Sequence, residues 1–172
     1  MKQNTFKIAE LAIFIAVAFL FSYIESLFPL PLPFPGMKLG LANLVILIAL
    51  YRFDFKDAFF ISVVRNILNA ITFGNLFGFF YSFAGSIFSL LMMATLKKIN
   101  HPQLSIISIS AVGGIVHNLG QFVIAALLVG GSSILPYLPF LYFAGLVAGV
   151  LIGVLAKLCL SRLPETLFSS RS

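Results

Sequence analysis

Polar side chains recur inside apolar stretches of this sequence, and they are the residues whose chemistry best suits a functional site. Arg65 lies in the middle of DAFFISVVRNILNAITF, with Asn69 one helical turn further along. His117, Asn118 and Gln121 lie within a second stretch, GGIVHNLGQ. A guanidinium, amides and an imidazole form hydrogen bonds with anionic or carbonyl groups. These residue types therefore indicate recognition of a ligand that carries such groups.

Helical periodicity places these polar residues on narrow faces. At 100° per residue, the polar positions of the first stretch fall within an arc of about 120°. They are Ser62, Arg65, Asn66, Asn69 and Thr72. The second stretch has a narrower stripe, flanked by Asn118 and formed by Ser110, Gly114, His117 and Gln121. Each stretch is therefore predicted to be a helix that directs its polar face towards protein.

The sequence offers little for catalysis. The acidic residues are Glu10, Glu25, Asp54, Asp57 and Glu165, and they form no DDxxD pair of the kind that binds a diphosphate through magnesium. No phosphate-binding glycine loop, zinc-ligand spacing or nucleophile elbow is present. The single cysteine excludes an internal disulfide. We expect a protein that is not an enzyme and that needs neither a metal nor a cofactor.

Composition determines the environment of these residues. Of 172 residues, 60% are hydrophobic and 9% are charged, and the mean hydropathy is +1.10. A soluble domain needs more polar surface, so a membrane protein is predicted. Because a backbone in lipid must satisfy its own hydrogen bonds, the spans should be helical. We predict one all-α polytopic membrane domain, 1–172, with six transmembrane helices at about 6–28, 39–51, 57–73, 76–96, 104–129 and 137–160. The first run lacks a small-x-small cleavage site and is interpreted as a retained helix.

Basic residues predict the orientation of these six spans. They precede the first span, follow the second, fourth and sixth, and leave only Lys38 for the other connections. The positive-inside rule then places both termini in the cytoplasm. With this orientation, polar residues from five spans reach one depth in the outer half of the membrane. We predict that they form a substrate-binding site of Glu25, Asn43, Arg65, Asn69, Tyr81, His117, Asn118 and Gln121.

Structural explanations compete with binding at each of these positions. A charged side chain inside a membrane costs roughly 2.5–3.5 kcal/mol and needs a partner. Arg65 therefore suits either an internal ion pair with Glu25 or a ligand anion. A single intramembrane histidine such as His117 is more often a hydrogen-bonded packing residue than a metal or haem ligand. The amides also suit interhelical hydrogen bonds, each worth about 0.6 kcal/mol.

A proline-rich stretch, LFPLPLPFPGMKLG, separates the first two spans. Alternating prolines fix φ and exclude a helix, which indicates an extended polyproline-like segment. The second span, with 13 residues, covers only about 20 Å of a ~30 Å hydrocarbon core, so it must begin or end within the protein and suggests a cavity. We predict that the stretch is a lid over this cavity, rather than only a stiff spacer, and that its residues are Pro29, Pro31, Pro33, Pro35 and Lys38.

Small residues at intervals of four indicate two close-packing surfaces. Gly145, Gly149 and Gly153 repeat in the sixth span, and Ala12 and Ala16 form a pair in the first. Either surface suits another helix of the same bundle or a membrane partner. The sequence does not identify the neighbour.

Three segments resemble a known bacterial family. They are FPLPLPFPGMKLGLANLVILIALY, RNILNAITFGNLFGFFYSFAGSIFSLL and GGIVHNLGQFVIAALLV. The chain resembles the family called both heptaprenyl diphosphate synthase component I and Gx transporter. That family is similar to the substrate-binding S components of energy-coupling factor (ECF) transporters, which are six-helix membrane proteins.

The resemblance implies a place in the bacterial cytoplasmic membrane and a set of partners. It implies an S component that binds a vitamin-like metabolite near the outer face and then docks on a transmembrane coupling subunit driven by two ATPases. Ala12 and Ala16 match the family pattern for contact with the coupling subunit, and the proline stretch corresponds to the lid. The synthase name implies a different role, that of a noncatalytic membrane anchor for a polyprenyl diphosphate synthase.

Three functions therefore remain: an S component, a synthase anchor, and a standalone channel or facilitator. The ligand is also open. His117 and Tyr81 suit the axial positions of a haem, and a naphthoquinone precursor or an isoprenoid suits the same polar groups.

Overall fold

The structure, a computed structural model, describes residues 2–27, 40–73, 76–99, 101–129 and 131–163. This part of the chain contains six α-helices, a short 3-10 helix at Gly131–Tyr137 and no strand. The helices are α1 (Lys2–Leu27), α2 (Leu41–Arg52), α3 (Phe55–Phe73), α4 (Leu76–Ile99), α5 (Ile106–Val129) and α6 (Leu138–Arg162). The predicted all-α architecture is confirmed, and each predicted run corresponds to one helix with ends shifted by a few residues.

Four of these helices are long and apolar enough to cross a membrane. Their apolar segments are Thr5–Leu27, Leu76–Ile99, Ile106–Leu128 and Ile134–Arg162. Helix α2 is too short, because its 12 residues extend only about 18 Å. Helix α3 is long enough, but Lys56, Asp57, Arg65 and its amides lower its hydropathy. The chain is thus a membrane protein with four candidate spans among six helices.

Helix α2 is the centre of the bundle. All seven residues from Leu44 to Leu50 are buried, and α2 contacts α1, α3, α4 and α6. A helix that is apolar on every side is stable only when other elements surround it. The main hydrophobic core is therefore built around α2, with contributions from α1, α3, α4, α5 and α6.

Charged side chains of neighbouring helices form hydrogen bonds with backbone groups at both ends of α2. At its start, Gly40 adopts φ 82°, and the carboxylate of Glu25 accepts hydrogen bonds from the backbone N–H groups of Gly40 (2.5 Å) and Leu41 (2.9 Å). At its end, Lys97 Nζ donates to the carbonyl oxygen of Leu50 (2.6 Å). An anion at the start and a cation at the end also interact favourably with the helix dipole. A short helix that ends inside the protein is stabilised in this way.

We expect Glu25→Ala to lower the free energy of unfolding by about 2–3 kcal/mol, because two backbone N–H groups would lose their acceptor. Glu25→Gln should cost about 1 kcal/mol, since an amide oxygen still accepts but the charge is lost. The thermal midpoint of the purified protein in detergent measures both effects. Glu10→Ala, on the same helix, is the control. Equal midpoints for Glu25→Ala and Glu10→Ala would contradict the capping role.

The helix ends that carry basic residues lie together at one end of the bundle. Lys7 of α1 forms an ion pair with Asp57 of α3 (Nζ–Oδ2 2.8 Å). Arg52, in the last turn of α2, donates through Nη2 to the carbonyl oxygens of Leu160 (3.1 Å) and Leu163. These contacts, with the Lys97 bond to α2, bring the basic ends of five helices together. We call this the Arg52 end of the bundle and the opposite one the Gly40 end.

The glycine repeat of α6 packs against α5, which identifies the neighbour that the sequence left open. A Cβ on Gly149 would lie 2.5 Å from the carbonyl oxygen of Ser110, and one on Gly153 would lie 2.7 Å from Ile107 Cα. On α5, a Cβ on Gly114 would overlap the carbonyl oxygen of Gly145. A side chain at any of these positions would overlap the backbone of the other helix, so α5 and α6 are in close backbone contact.

Candidate functional site

A cavity of about 360 Å³ lies among α2, α4, α5 and α6. It begins near Gly40 and extends along α6 as far as Ile152. Its size falls in the range of small-molecule pockets, about 300–1,000 Å³. The described wall residues are Gly40, Asn43, Leu47, Ser89, Met93, Ser110, Gly113, Gly114, His117, Asn118, Phe140, Phe143, Ala144, Gly145, Val147, Ala148, Gly149, Leu151 and Ile152.

Three of the predicted site residues meet in the wall of this cavity. Asn43 of α2 faces α5, and its Nδ2 lies 3.4 Å from Nδ1 of His117. The imidazole also hydrogen-bonds to the backbone of Gly85 on α4. Asn118 Nδ2 donates to the carbonyl oxygen of Leu141 (2.9 Å), which fixes its amide against α6. The polar part of the cavity is therefore held in place by bonds to three helices.

The rest of the wall is almost entirely apolar. Ser89 and Ser110 are the further described side chains in it with hydrogen-bonding groups, and no described wall residue carries a charge. An apolar pocket with a few fixed polar groups is typical of a small-molecule site, in which the polar groups orient the ligand. The arrangement can bind and orient a molecule, with Asn43 and His117 as hydrogen-bonding partners.

Arg65 belongs to a second group of polar residues, outside the cavity wall. Its side chain is 5% exposed. The guanidinium donates to Ser22 Oγ (3.2 Å) on α1, Asn66 Oδ1 (3.3 Å) on α3 and Ser86 Oγ (2.9 Å) on α4. The Glu25 carboxylate attracts it electrostatically. We call Ser22, Arg65, Asn66 and Ser86 the Arg65 cluster, and it joins three helices.

Asn66 extends the Arg65 cluster. Its Nδ2 donates to the carbonyl oxygen of Ser62 (2.8 Å), and its Oδ1 also accepts from Ser82 Oγ (3.0 Å). Among the described residues, buried atoms without a hydrogen-bond partner near this face of α3 are Arg65 Nε, Ser62 Oγ and Asn69 Oδ1. Buried polar atoms of this kind are commonly satisfied by an ordered water.

The residues that the sequence predicts as one site thus lie in several places. Asn43, His117 and Asn118 line the cavity, whereas Arg65 lies in its own cluster and Glu25 caps α2. Asn69, Tyr81 and Gln121 are half-buried or buried but lie outside the described wall, and Gln121 packs against Gly85 of α4. The reason is that helical spacing groups residues on one helix but does not fix the direction of each face.

The remaining predicted residues belong to the partner contact and to the lid. Ala12 and Ala16 are exposed on α1. The predicted lid residues, Pro29, Pro31, Pro33, Pro35 and Lys38, lie outside the described residues. The haem hypothesis requires His117 and Tyr81 to face one pocket, and the described cavity wall holds only the first of them.

Some residues of the Arg65 cluster and of the cavity wall were not predicted from the sequence. In the Arg65 cluster it missed Ser22 and Ser86; the four-residue spacing of Ser82 and Ser86 on α4 was a usable signal for a polar face. In the cavity it missed the face of α6 from Phe140 to Ile152. That face is apolar throughout, so nothing in its sequence distinguishes a pocket wall from a lipid-facing surface.

A protein-family model described as heptaprenyl diphosphate synthase component I matches residues 14–159. The matched range contains every described residue of the cavity wall and the whole Arg65 cluster. No curated protein and no solved structure matches the chain. The match confirms the resemblance seen in the sequence. The chain belongs to the heptaprenyl diphosphate synthase component I family.

Proposed function

We propose that this chain is the substrate-binding S component of an ECF-type uptake transporter. The observation that carries the proposal is the cavity of about 360 Å³ among α2, α4, α5 and α6. Three of its polar residues, Asn43, His117 and Asn118, lie in the part of the wall nearest the Gly40 end. A binding subunit needs such a pocket, whereas an anchor protein does not.

The proposal includes an orientation in the membrane. All six helices cross or enter the bilayer, and α2 is sheltered by the others. The Arg52 end, which gathers Lys7, Arg52 and Lys97, faces the cytoplasm together with both termini, in agreement with the positive-inside rule. The Gly40 end then faces outward, and the ligand is captured from that side of the bacterial plasma membrane.

The exposed face of α1 supports a contact with a coupling subunit. Ala12 and Ala16 are exposed, and so are Ile13 and Val17 between and beside them. Within an apolar stretch of 18 residues in α1 only 11% of the residues are buried, against 28% in the corresponding stretches of the other three candidate spans. Small residues within such a face allow a partner helix to approach closely. The coupling subunit and two ATPases would complete the transporter.

A second candidate function rests on the description of the family. That description names a component of a heptaprenyl diphosphate synthase, which supports a noncatalytic accessory subunit that anchors a polyprenyl synthase. Its docking surface would be the Arg52 end, where Phe55 and Ile99 are exposed beside charged residues. In both proposals the chain itself is not the enzyme.

Transport in proteoliposomes tests the leading proposal. The chain is reconstituted with an ECF coupling subunit and its two ATPases, and compounds that copurify with it are identified by native mass spectrometry and then used as substrates. We expect ATP-dependent accumulation, reduced at least tenfold by His117→Ala because the imidazole orients the ligand in the cavity. Lys157→Ala, exposed on α6, is the control.

Two results would contradict this proposal. Accumulation that does not require ATP would indicate a facilitator. Copurification of a prenyltransferase in place of the coupling subunit would favour the accessory role.

A further inference from the structure

The cavity has an opening along the side of α6. Phe143, Val147 and Leu151 line it, yet 62%, 59% and 54% of their surfaces are exposed. The cavity is partly open, and the residues that both line it and are exposed mark its opening to the outside of the protein. Phe140, one turn earlier, also lines the cavity and is also exposed.

This opening lies at the depth of the membrane. From Phe140 to Leu151 it extends for about 16 Å at 1.5 Å per residue, within the apolar segment Ile134–Arg162 that is long enough to span a bilayer. A pocket that serves only water-soluble ligands would open at an end of the bundle. An opening along the flank of a spanning helix faces lipid acyl chains.

The volume of the cavity suits a small molecule better than a partner helix. A helix segment about 16 Å long and about 10 Å across occupies on the order of 1,000 Å³. The cavity holds about 360 Å³, so a helix could cover the opening but could not fill the space behind it. The space matches the lower range of ligand pockets.

The chemistry of the wall indicates an uncharged ligand. No described wall residue carries a charge, and the guanidinium of Arg65 is engaged by Ser22, Asn66 and Ser86 outside the wall. A phosphate or diphosphate would find no counter-ion among the described wall residues, and its desolvation would cost many kcal/mol. A hydroxyl or carbonyl group needs only one or two hydrogen-bonding partners, which Asn43 and His117 provide.

We propose that the cavity binds an uncharged amphipathic molecule, with an apolar body and one hydroxyl or carbonyl end, that enters from the bilayer through the opening along α6. The polar end lies at Asn43 and His117, and the apolar body lies along Ala144, Ala148 and Ile152. This inference rests on the proposed binding function and specifies the class of its ligand.

Binding of matched probes to the purified full-length chain in lipid nanodiscs tests the ligand class. Radiolabelled farnesol and farnesyl diphosphate share one hydrocarbon chain and differ in the charge of the end group. We expect saturable farnesol binding and at least tenfold weaker binding of the diphosphate. Ala148→Trp should reduce farnesol binding at least tenfold by filling the cavity, whereas Val150→Trp, exposed on α6 and absent from the described wall, should not.

Tryptophan fluorescence tests the opening. The chain contains no tryptophan, so Ala148→Trp and Val150→Trp each introduce a single fluorophore. Lipids with brominated acyl chains quench tryptophan on contact. We expect quenching of the Ala148→Trp protein to reach at least half of that in the lipid-facing Val150→Trp protein. Quenching below a tenth of that value would show that the cavity is closed to the bilayer and would overturn lateral entry.

The remaining outcomes separate the inference from the proposed function. Diphosphate binding as tight as farnesol binding would overturn the uncharged ligand class. Copurification of a water-soluble ligand, with no farnesol binding, would overturn the inference and leave the S-component proposal standing. Farnesol binding without any ATP-dependent transport of a copurifying compound would support the inference and contradict the S-component proposal.

Discussion

Gly114→Ala should destabilise the protein by about 2 kcal/mol, although it adds only one methyl group. The new Cβ would overlap the carbonyl oxygen of Gly145 and lie 2.9 Å from Gly149 Cα. Both are backbone atoms of α6, so no side chain can rotate away and the two helices must separate. Overpacking of this kind typically costs 1–3 kcal/mol, and the improved helix propensity of alanine returns at most about 1 kcal/mol.

The neighbouring glycine provides a matched control. A Cβ on Gly113 would lie 2.6 Å from Cγ and Sδ of Met93, and a methionine side chain can adopt another rotamer. Gly113→Ala should therefore change stability by no more than about 1 kcal/mol. Thermal midpoints and the monodisperse fraction in detergent measure both variants. Equal losses for the two would contradict the assignment of Gly114 to a backbone contact.

Arg65→Met should lower the free energy of unfolding by about 2–4 kcal/mol. The variant loses three hydrogen bonds from a charged donor, to Ser22, Asn66 and Ser86, each worth about 1.5–3 kcal/mol. It also removes the cost of a charge in the membrane, roughly 2.5–3.5 kcal/mol, which offsets part of the loss. Arg162→Met, at the exposed end of α6, removes the same charge without these bonds and is the control.

The effect of Arg65→Met on binding distinguishes the two explanations that the sequence allowed. Since the guanidinium lies outside the described cavity wall, the folded fraction of the variant should bind the copurifying ligand within about threefold of the unchanged protein. Ser86→Ala should lower stability by about 1.5–3 kcal/mol through loss of one charge-assisted bond. A tenfold loss of affinity in Arg65→Met with unchanged stability would identify Arg65 as a ligand-binding residue instead.

Much of the fold follows from the sequence, because bilayer and helix geometry restrict it strongly. A mean hydropathy of +1.10 predicts a membrane protein, and the six apolar runs predict the six helices to within a few residues. The 13-residue second run also predicts a helix that begins or ends within the protein, and α2 is buried along Leu44–Leu50. The hydrogen bonds that cap its two ends are harder to predict from the sequence, because Glu25 and Lys97 are separated from their partners along the chain.

The site could be predicted only in part. Spacing on α5 places His117 and Gln121 on one stripe, but they face different neighbours: His117 lies in the cavity wall with Asn43, and Gln121 packs on Gly85. The separation of Arg65 from the cavity could not be predicted either. Its partners Ser22 and Ser86 are on α1 and α4, and no local pattern pairs them with α3.

The sequence by itself determined the environment, the helices, the glycine repeat and the family of this protein, because each depends on composition or on spacing along one chain segment. The tertiary structure alone decided that the repeat faces α5, that α6 supplies a cavity wall, and that Arg65 and His117 lie in different places. The physical reason is that one helix's rotation about its axis depends on how closely all its neighbours can approach. At Gly114, Gly145 and Gly149 that approach is limited by the backbone itself.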